Sequence, residues 1–102
     1  MSHIRAYQGC RLHRVIDGDS CELIVDLGFR IFARETFRLA GLDCPERGTP
    51  EGLAAKHFAA SWFERHPTFA VLSQKVPENG NASLNAALLA AGHARPYDGG
   101  KR

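Results

Sequence analysis

The sequence has few cysteines, and they show no arrangement that binds metal. Cys10, Cys21 and Cys44 are the only three. Their number is odd, no Cys-X-X-Cys pair occurs, and no zinc-site spacing is present. A small secreted domain would more often carry an even set of disulfide-forming cysteines. We therefore expect three reduced thiols in an intracellular protein.

Long apolar runs and a strong excess of one charge are also missing. No stretch approaches the roughly 20 apolar residues that a membrane-spanning helix needs, and residues 1–10 contain no apolar segment typical of a secretory signal. These absences predict a cytoplasmic protein with no membrane partner. The 13 basic and 11 acidic residues leave a net charge of +2, with the five His neutral. Composition alone therefore does not indicate a nucleic-acid-binding protein.

The chain is long enough for one domain with one hydrophobic core, because its 102 residues are 44% hydrophobic. We expect a single domain over residues 1–102, with its core at about 10–98. Strands are predicted over residues 6–16, 20–27, 29–39 (long or interrupted) and 68–73. Loops are predicted over residues 74–81 and in the irregular tail, 94–102. In the second strand, Cys21, Leu23, Val25 and Leu27 alternate with polar residues, a pattern typical of a half-buried strand.

Two helices follow the first three strands. Thr49 is a good N-cap and Pro50 suits the first helical position. Pro67 forbids continuation, so this helix should end near residue 65. Ser83 can cap a second helix, and Gly92 should end it in a left-handed conformation. Strands followed by a helix, a strand and a helix predict an α+β fold.

Chemistry-bearing residues fall in two acidic clusters and one arginine between them. The clusters are Asp-Gly-Asp-Ser at 17–20 and Asp-Cys-Pro-Glu at 43–46, and the arginine is Arg38. If the strand of Arg38 pairs near the first turn, carboxylates and guanidinium converge. Carboxylate and carbonyl oxygens suit a hard cation such as Ca²⁺, and a guanidinium suits phosphate. With a Glu able to deprotonate water, these are the parts for metal-assisted attack on a phosphodiester.

Each part alone also has a purely structural interpretation. Asp-Gly-Asp at 17–19 is usually a turn, and Glu46 could simply favour the dipole of the following helix. Arg38 on a strand is usually a solvated side chain. His57 is expected on a helix surface, and Trp62 is expected in the core.

The ordered combination is more specific than its parts. Residues 15–20 (Val-Ile-Asp-Gly-Asp-Ser) and 37–46 (Phe-Arg-Leu-Ala-Gly-Leu-Asp-Cys-Pro-Glu) resemble the staphylococcal nuclease, or thermonuclease, family. Residues 83–100 look like that family's second helix and the segment after it. The insert at 26–29 resembles phage and bacterial members. The resemblance covers roughly residues 10–100.

This resemblance implies a fold, an activity and a set of site residues. The implied fold is a small five-stranded OB-type β-barrel with helices packed on it, and family members cleave DNA and RNA, commonly with Ca²⁺. The implied metal-binding groups are Asp19, Asp43, the Cys44 carbonyl and, in the outer shell through water, Asp17. Arg38 would bind the scissile phosphate, and Glu46 would be the general-base candidate.

One departure from the family pattern concerns the stretch before the second helix. The family has Tyr-Gly-Arg there, whose Arg stabilises the transition state, and then a further strand. Here residues 71–85 contain neither the motif nor room for the strand. We therefore expect a barrel that lacks or shortens its fifth strand and is open at one edge. Lys75, Arg47 or Arg95 could replace the missing cation, with Lys75 and Arg95 as expected substrate-binding residues.

Three hypotheses follow. The first is a calcium-dependent nuclease acting on DNA, RNA or both, slowed by the missing arginine, since loss of one preorganised cation typically costs about 10²-fold or more in rate. The second is a catalytically inactive OB-type nucleic-acid-binding domain derived from a nuclease. The third is a poorly folding remnant. The preference for DNA or RNA, the mode of cleavage and the oligomeric state stay open.

Overall fold

The structure, a computed structural model, describes residues 6–72 and 83–97, and these ranges form an α+β fold. Its elements along the chain are β1 (Ala6–Asp17), β2 (Ser20–Asp26), β3 (Phe32–Arg38), β4 (Leu42–Asp43), α1 (Pro50–Arg65), β5 (Phe69–Leu72), α2 (Leu84–Ala90) and β6 (Arg95–Pro96). The predicted order of strands and helices is confirmed. The predicted loop at 74–81, including Lys75, lies outside the described residues.

Four of the strands form one antiparallel sheet in the order β3-β2-β1-β5. Within residues 6–72 and 83–97 this sheet is open, because β3 and β5 are its two edges and no ladder joins them. The described residues therefore form an open sheet and do not close into a barrel. A second, two-stranded sheet pairs β4 with β6.

The core lies between the sheet and the helices, and β2 contributes to it as its alternation predicts. Cys21, Leu23 and Val25 are buried, while Leu27 falls after the strand and is exposed. The helix α1 packs against β1 and α2. The main buried cluster comprises Cys21, Leu23, Leu42, Ala59, Trp62, Phe63, Leu84 and Leu88.

The first helix begins and ends where its local signals predict. The hydroxyl of Thr49 accepts a hydrogen bond from the N–H of Gly52 at 2.9 Å, Pro50 is the first helical residue, and the helix ends at Arg65. His57 is exposed on α1, as expected. No helix in the described parts of the chain is both long and apolar enough to cross a membrane. All three cysteines are free thiols.

The second helix is also capped as predicted. The hydroxyl of Ser83 accepts a hydrogen bond from the N–H of Ala86 at 3.0 Å, and Gly92 follows the helix with a φ of +79°. The prediction of an irregular tail is wrong for residues 95–96, which form β6. These residues pair with the buried β4, and the N–H of Tyr97 donates to the carbonyl of Gly41 at 3.0 Å. Pro96 tolerates this position because β6 is an edge strand.

The third strand is shorter than predicted because a tight turn occupies residues 28–31. The N–H of Ile31 donates to the carbonyl of Gly28 at 2.9 Å, and the two central residues, Phe29 and Arg30, have φ values of +53° and +63°. Positive φ at both central positions is the mark of a type I′ hairpin turn, which strongly prefers Asn-Gly. Phe and Arg each pay a steric penalty in this left-handed region.

This turn leads to a stability prediction. The double variant Phe29→Asn, Arg30→Gly should raise the free energy of unfolding by about 1 kcal/mol or more, because it removes left-handed strain. The measurement is urea denaturation, in which the midpoint should rise while the slope stays constant. The matched control, Phe29→Ala with Arg30→Ala, keeps a Cβ at both positions and should gain little. An Asn-Gly variant with an unchanged midpoint would contradict the strain argument.

Candidate functional site

The pairing of β2 with β3 brings Arg38 to the turn at residues 17–20. Arg38 is the last residue of β3 and lies opposite Ser20, the first residue of β2. The N–H of Leu39 then donates to the carbonyl of Asp19 at 2.8 Å, which holds the end of β3 against the turn. The expected convergence of the arginine and the first acidic cluster is therefore present.

Arg38 bridges the two acidic clusters. Its Nη1 lies 3.1 Å from Oδ2 of Asp19, and its Nη2 lies 3.3 Å from Oδ1 of Asp43. The same Nη2 lies 3.4 Å from the carbonyl of Leu42, and the guanidinium carbon lies 5.9 Å from the centre of the Tyr97 ring. Burial opposes the charged form, but the two carboxylates prevail and raise the pKa of Arg38 above its ordinary value. The side chain is held from several sides and carries a fixed positive charge.

Both bridged carboxylates are buried: Asp19 is 6% exposed and Asp43 is 8% exposed. Oδ2 of Asp19 also accepts a hydrogen bond from the N–H of Cys44 at 3.1 Å. Burial raises the pKa of Asp19 and neighbouring Asp17 adds to the rise, whereas the Cys44 N–H and the Arg38 charge oppose it. Desolvation therefore outweighs the hydrogen bond and the ion pair at this carboxylate.

Asp17 shapes the turn rather than joining the bridge. Its Oδ1 accepts a hydrogen bond from the N–H of Asp19 at 3.3 Å. The intervening Gly18 is buried, and a Cβ at this position would lie 2.7 Å from the Cβ of Ala55 on α1 and 2.9 Å from Sγ of Cys44. Any larger residue would push the turn away from α1, and Asp19 would move with it.

A cleft of about 500 Å³ lies beside the bridge, between residues 43–46 and residues 92–95. Asp43 and Glu46 line one side, while His93 and Arg95 line the other. Nη2 of Arg95 lies 3.7 Å from Oδ2 of Asp43, and the side chain of Arg95 is 77% exposed. Asp43 therefore contacts two arginines, of which one is held and one projects into solvent.

Glu46 is exposed at this cleft, in the loop before α1. Its carbonyl accepts hydrogen bonds from the hydroxyl of Thr49 at 2.7 Å and from the Thr49 N–H at 3.3 Å. A Cβ on Gly52 would collide with the same carbonyl. The N-cap of α1 thus also fixes the backbone that carries Glu46.

The thiol of Cys44 is partly buried and lies close to both acidic clusters. Desolvation by burial, helped by the nearby carboxylates, raises its pKa to about 12. The free thiol is therefore protonated at neutral pH, and a protonated thiol is a poor nucleophile. The metal ligand that the resemblance implies at this residue is the backbone carbonyl, not the sulfur.

The oxygen atoms at the bridge are of the kind that a hard cation binds, but few of them belong to side chains. In residues 6–72 and 83–97, no group of three or more His, Cys, Asp or Glu side chains converges as a metal site. The oxygen donors at the bridge are the buried carboxylates of Asp19 and Asp43 with neighbouring backbone carbonyls, a set that suits Ca²⁺ with water in its remaining positions.

Several residues at the site carried no functional signal in the sequence. His93 lines the cleft and its ring centre lies 4.7 Å from that of Phe58, but its spacing to other residues indicated nothing. Tyr97 lies beside Arg38 only because β6 pairs with β4. Gly18 and Gly52 position Asp19 and Glu46 by being small, which only a structure can show.

Comparisons with known proteins add no assignment. A scan of protein-family models gives no match to the chain, and a search of curated proteins gives no significant match.

Proposed function

We propose that this protein is a Ca²⁺-dependent nuclease that hydrolyses phosphodiester bonds of DNA, RNA or both, on an OB-like scaffold similar to that of the staphylococcal nuclease family. The observation that carries the proposal is the bridge of Arg38 to two buried carboxylates at the mouth of a cleft that also contains Glu46. Buried charges are costly, and a fold that only needed stability would more often hold apolar residues there.

In this proposal, Asp19, Asp43 and the Cys44 carbonyl hold Ca²⁺, with Asp17 in the outer shell. The cation would supply Lewis-acid polarisation of the scissile phosphate. Arg38 binds a non-bridging phosphate oxygen through its planar fork, and Tyr97 and the Leu42 carbonyl keep that fork oriented.

Two further side chains at the cleft act on the attacking water and on the negative charge that develops on the phosphate. Glu46 accepts a proton, as general base, from the water whose oxygen attacks phosphorus. The phosphorus–oxygen bond to one of the two sugars breaks, and the leaving oxygen takes a proton from solvent water. Arg95, next to Asp43 and largely exposed, stabilises the charge that develops on the phosphate. It thereby takes the role of the arginine missing from the stretch before α2. Lys75 is a further substrate-binding candidate.

The test is cleavage of heat-denatured DNA and of RNA by purified protein, with Ca²⁺ and with a chelator. We expect degradation only with Ca²⁺, and no degradation by the Asp43→Ala variant. Equal cleavage by wild type and Asp43→Ala would expose a contaminating nuclease, and no cleavage at high enzyme concentration would reject the enzyme.

A binding module without catalysis is the second candidate. It is favoured by the absence of a three-ligand side-chain group in the described residues and by the occupation of both carboxylates by Arg38. Oligonucleotide binding without cleavage in Ca²⁺ would select this candidate.

A further inference from the structure

The outward side of β3 carries polar and aromatic side chains at every second position. Phe32, Arg34, Thr36 and Arg38 are all exposed, whereas the intervening Phe37 packs against the core. A strand rises about 3.3 Å per residue, so this row extends roughly 20 Å from the turn at residues 28–31 to the bridge.

The neighbouring strands add positive charge to the same side of the sheet. Arg14 lies opposite Glu22, and Arg11 lies opposite Ile24, which is itself paired with Arg34. Residues opposite each other in an antiparallel pair share a face. The row and its neighbours form what we call the basic face: Arg11, Arg14, Phe32, Arg34, Thr36 and Arg38.

Acidic side chains on this side do not cancel the charge. Glu22 has to serve several partners, since its Oε1 lies 3.7 Å from Nε of Arg14, 3.8 Å from Nε of Arg34 and 3.4 Å from Nε2 of His13. Asp26 uses Oδ1 to accept a hydrogen bond from Gly28. Outside the bridge, the three arginines Arg11, Arg14 and Arg34 stand against the two acidic residues Glu22 and Asp26, so this part of the face keeps a net positive charge that attracts a polyanion.

Aromatic rings lie at the end of the basic face that is distant from the bridge. Phe29 is 97% exposed and Phe32 is 54% exposed. Phe29 occupies a left-handed position that Asn or Gly would fill at lower cost, so stability does not account for an exposed ring there. Leu27 and Ile31 extend the exposed apolar surface of the turn.

We infer that the basic face, with Phe29 beside it, binds single-stranded nucleic acid and leads it to Arg38. This inference rests on the proposed function for its biological meaning, but binding itself requires no cleavage. Arginines along the row contact successive phosphates, and the two rings stack on bases. The partner is single-stranded because a duplex buries its base faces, whereas every unpaired base offers a face to an aromatic ring.

The test is fluorescence anisotropy with a short labelled oligothymidylate in chelator, at several salt concentrations. The Phe29→Ala, Phe32→Ala double variant should bind at least about fivefold more weakly than wild type, because base–aromatic stacking contributes that much or more per base. The Arg34→Ala variant should lower the slope of log affinity against log salt by about 0.7. Duplex DNA should bind more weakly than the single strand.

Matched controls separate stacking from apolar burial and from loss of folding. Leu53→Ala removes an apolar side chain on α1 that is as exposed as that of Phe32, and Arg65→Ala removes an exposed arginine on the same helix. Both variants should bind like wild type. Phe29→Leu with Phe32→Leu keeps apolar area but loses the rings, so its affinity should also fall. Thermal unfolding verifies that each variant is folded.

The remaining outcomes overturn the inference. If the wild-type protein cleaves DNA in Ca²⁺ but binds no oligonucleotide in chelator, the basic face is not a binding surface, and the proposed nuclease activity is unaffected. If the Phe29→Ala, Phe32→Ala variant binds the oligonucleotide as tightly as the wild type, the two rings do not stack on bases. If the Phe variants instead lose dimers in sedimentation, or lose binding to phosphatidylglycerol vesicles while oligonucleotide binding is intact, the turn serves self-association or a membrane surface.

Discussion

Replacing Arg38 with alanine should slow cleavage of denatured DNA by about 10²- to 10³-fold and also lower the free energy of unfolding by about 2 kcal/mol. The rate falls because a preorganised cation is lost from the phosphate. Stability falls because Asp19 and Asp43, both buried, each lose a charged partner. The measurements are initial cleavage rates in Ca²⁺ and urea denaturation in chelator.

The conservative variant, Arg38→Lys, separates these two effects. An ammonium restores positive charge near the carboxylates, but it cannot bridge both of them and hold a phosphate as a planar fork does. We expect Arg38→Lys to recover part of the stability and little of the rate. Wild-type cleavage by Arg38→Ala would remove this residue from the reaction.

The second large effect is expected for Arg95. The Arg95→Ala variant should cleave about 10²-fold more slowly, because it loses the second cation at the phosphate. Its free energy of unfolding should change by less than about 0.5 kcal/mol, because the side chain is 77% exposed and contributes a surface ion pair to Asp43. A large rate effect with unchanged stability is the signature of a residue that acts on the substrate.

Arg47 provides the matched control for Arg95. It is exposed in the loop after Glu46 but is not among the residues that line the cleft. Arg47→Ala should therefore retain the wild-type rate. If Arg47→Ala is slow and Arg95→Ala is not, the second cation is Arg47, and the pairing of β6 with β4 has no catalytic meaning.

Features with local causes were predictable from the sequence. The limits of α1 follow from Thr49 at its N-cap and from Pro67 after its end, and both act within one turn of helix. The approach of Arg38 to the turn at 17–20 follows from a hairpin between adjacent strands, whose register the alternation of β2 already favours. The part of the site formed by Arg38 and the turn at residues 17–20 was therefore predictable from the sequence.

Features that depend on distant pairing or on strain were not predictable. The strands β4 and β6 have two residues each, too few for any periodicity, and half of the chain separates them. The position of Arg95 next to Asp43 depends entirely on that pairing. The turn at Phe29 and Arg30 escaped prediction because these residues are unfavourable in the left-handed conformation that they adopt.

If the proposed nuclease activity needs Arg95, the pairing of β4 with β6 ties that activity to the completion of folding. During synthesis, Asp19, Arg38 and Asp43 emerge long before Arg95, and a chain that still lacks β6 also lacks the proposed second cation. Such a chain would contact nucleic acid before it could cut efficiently. Partial unfolding that frees only β6 would have the same effect, so under the proposed function efficient cleavage would be confined to the fully folded molecule.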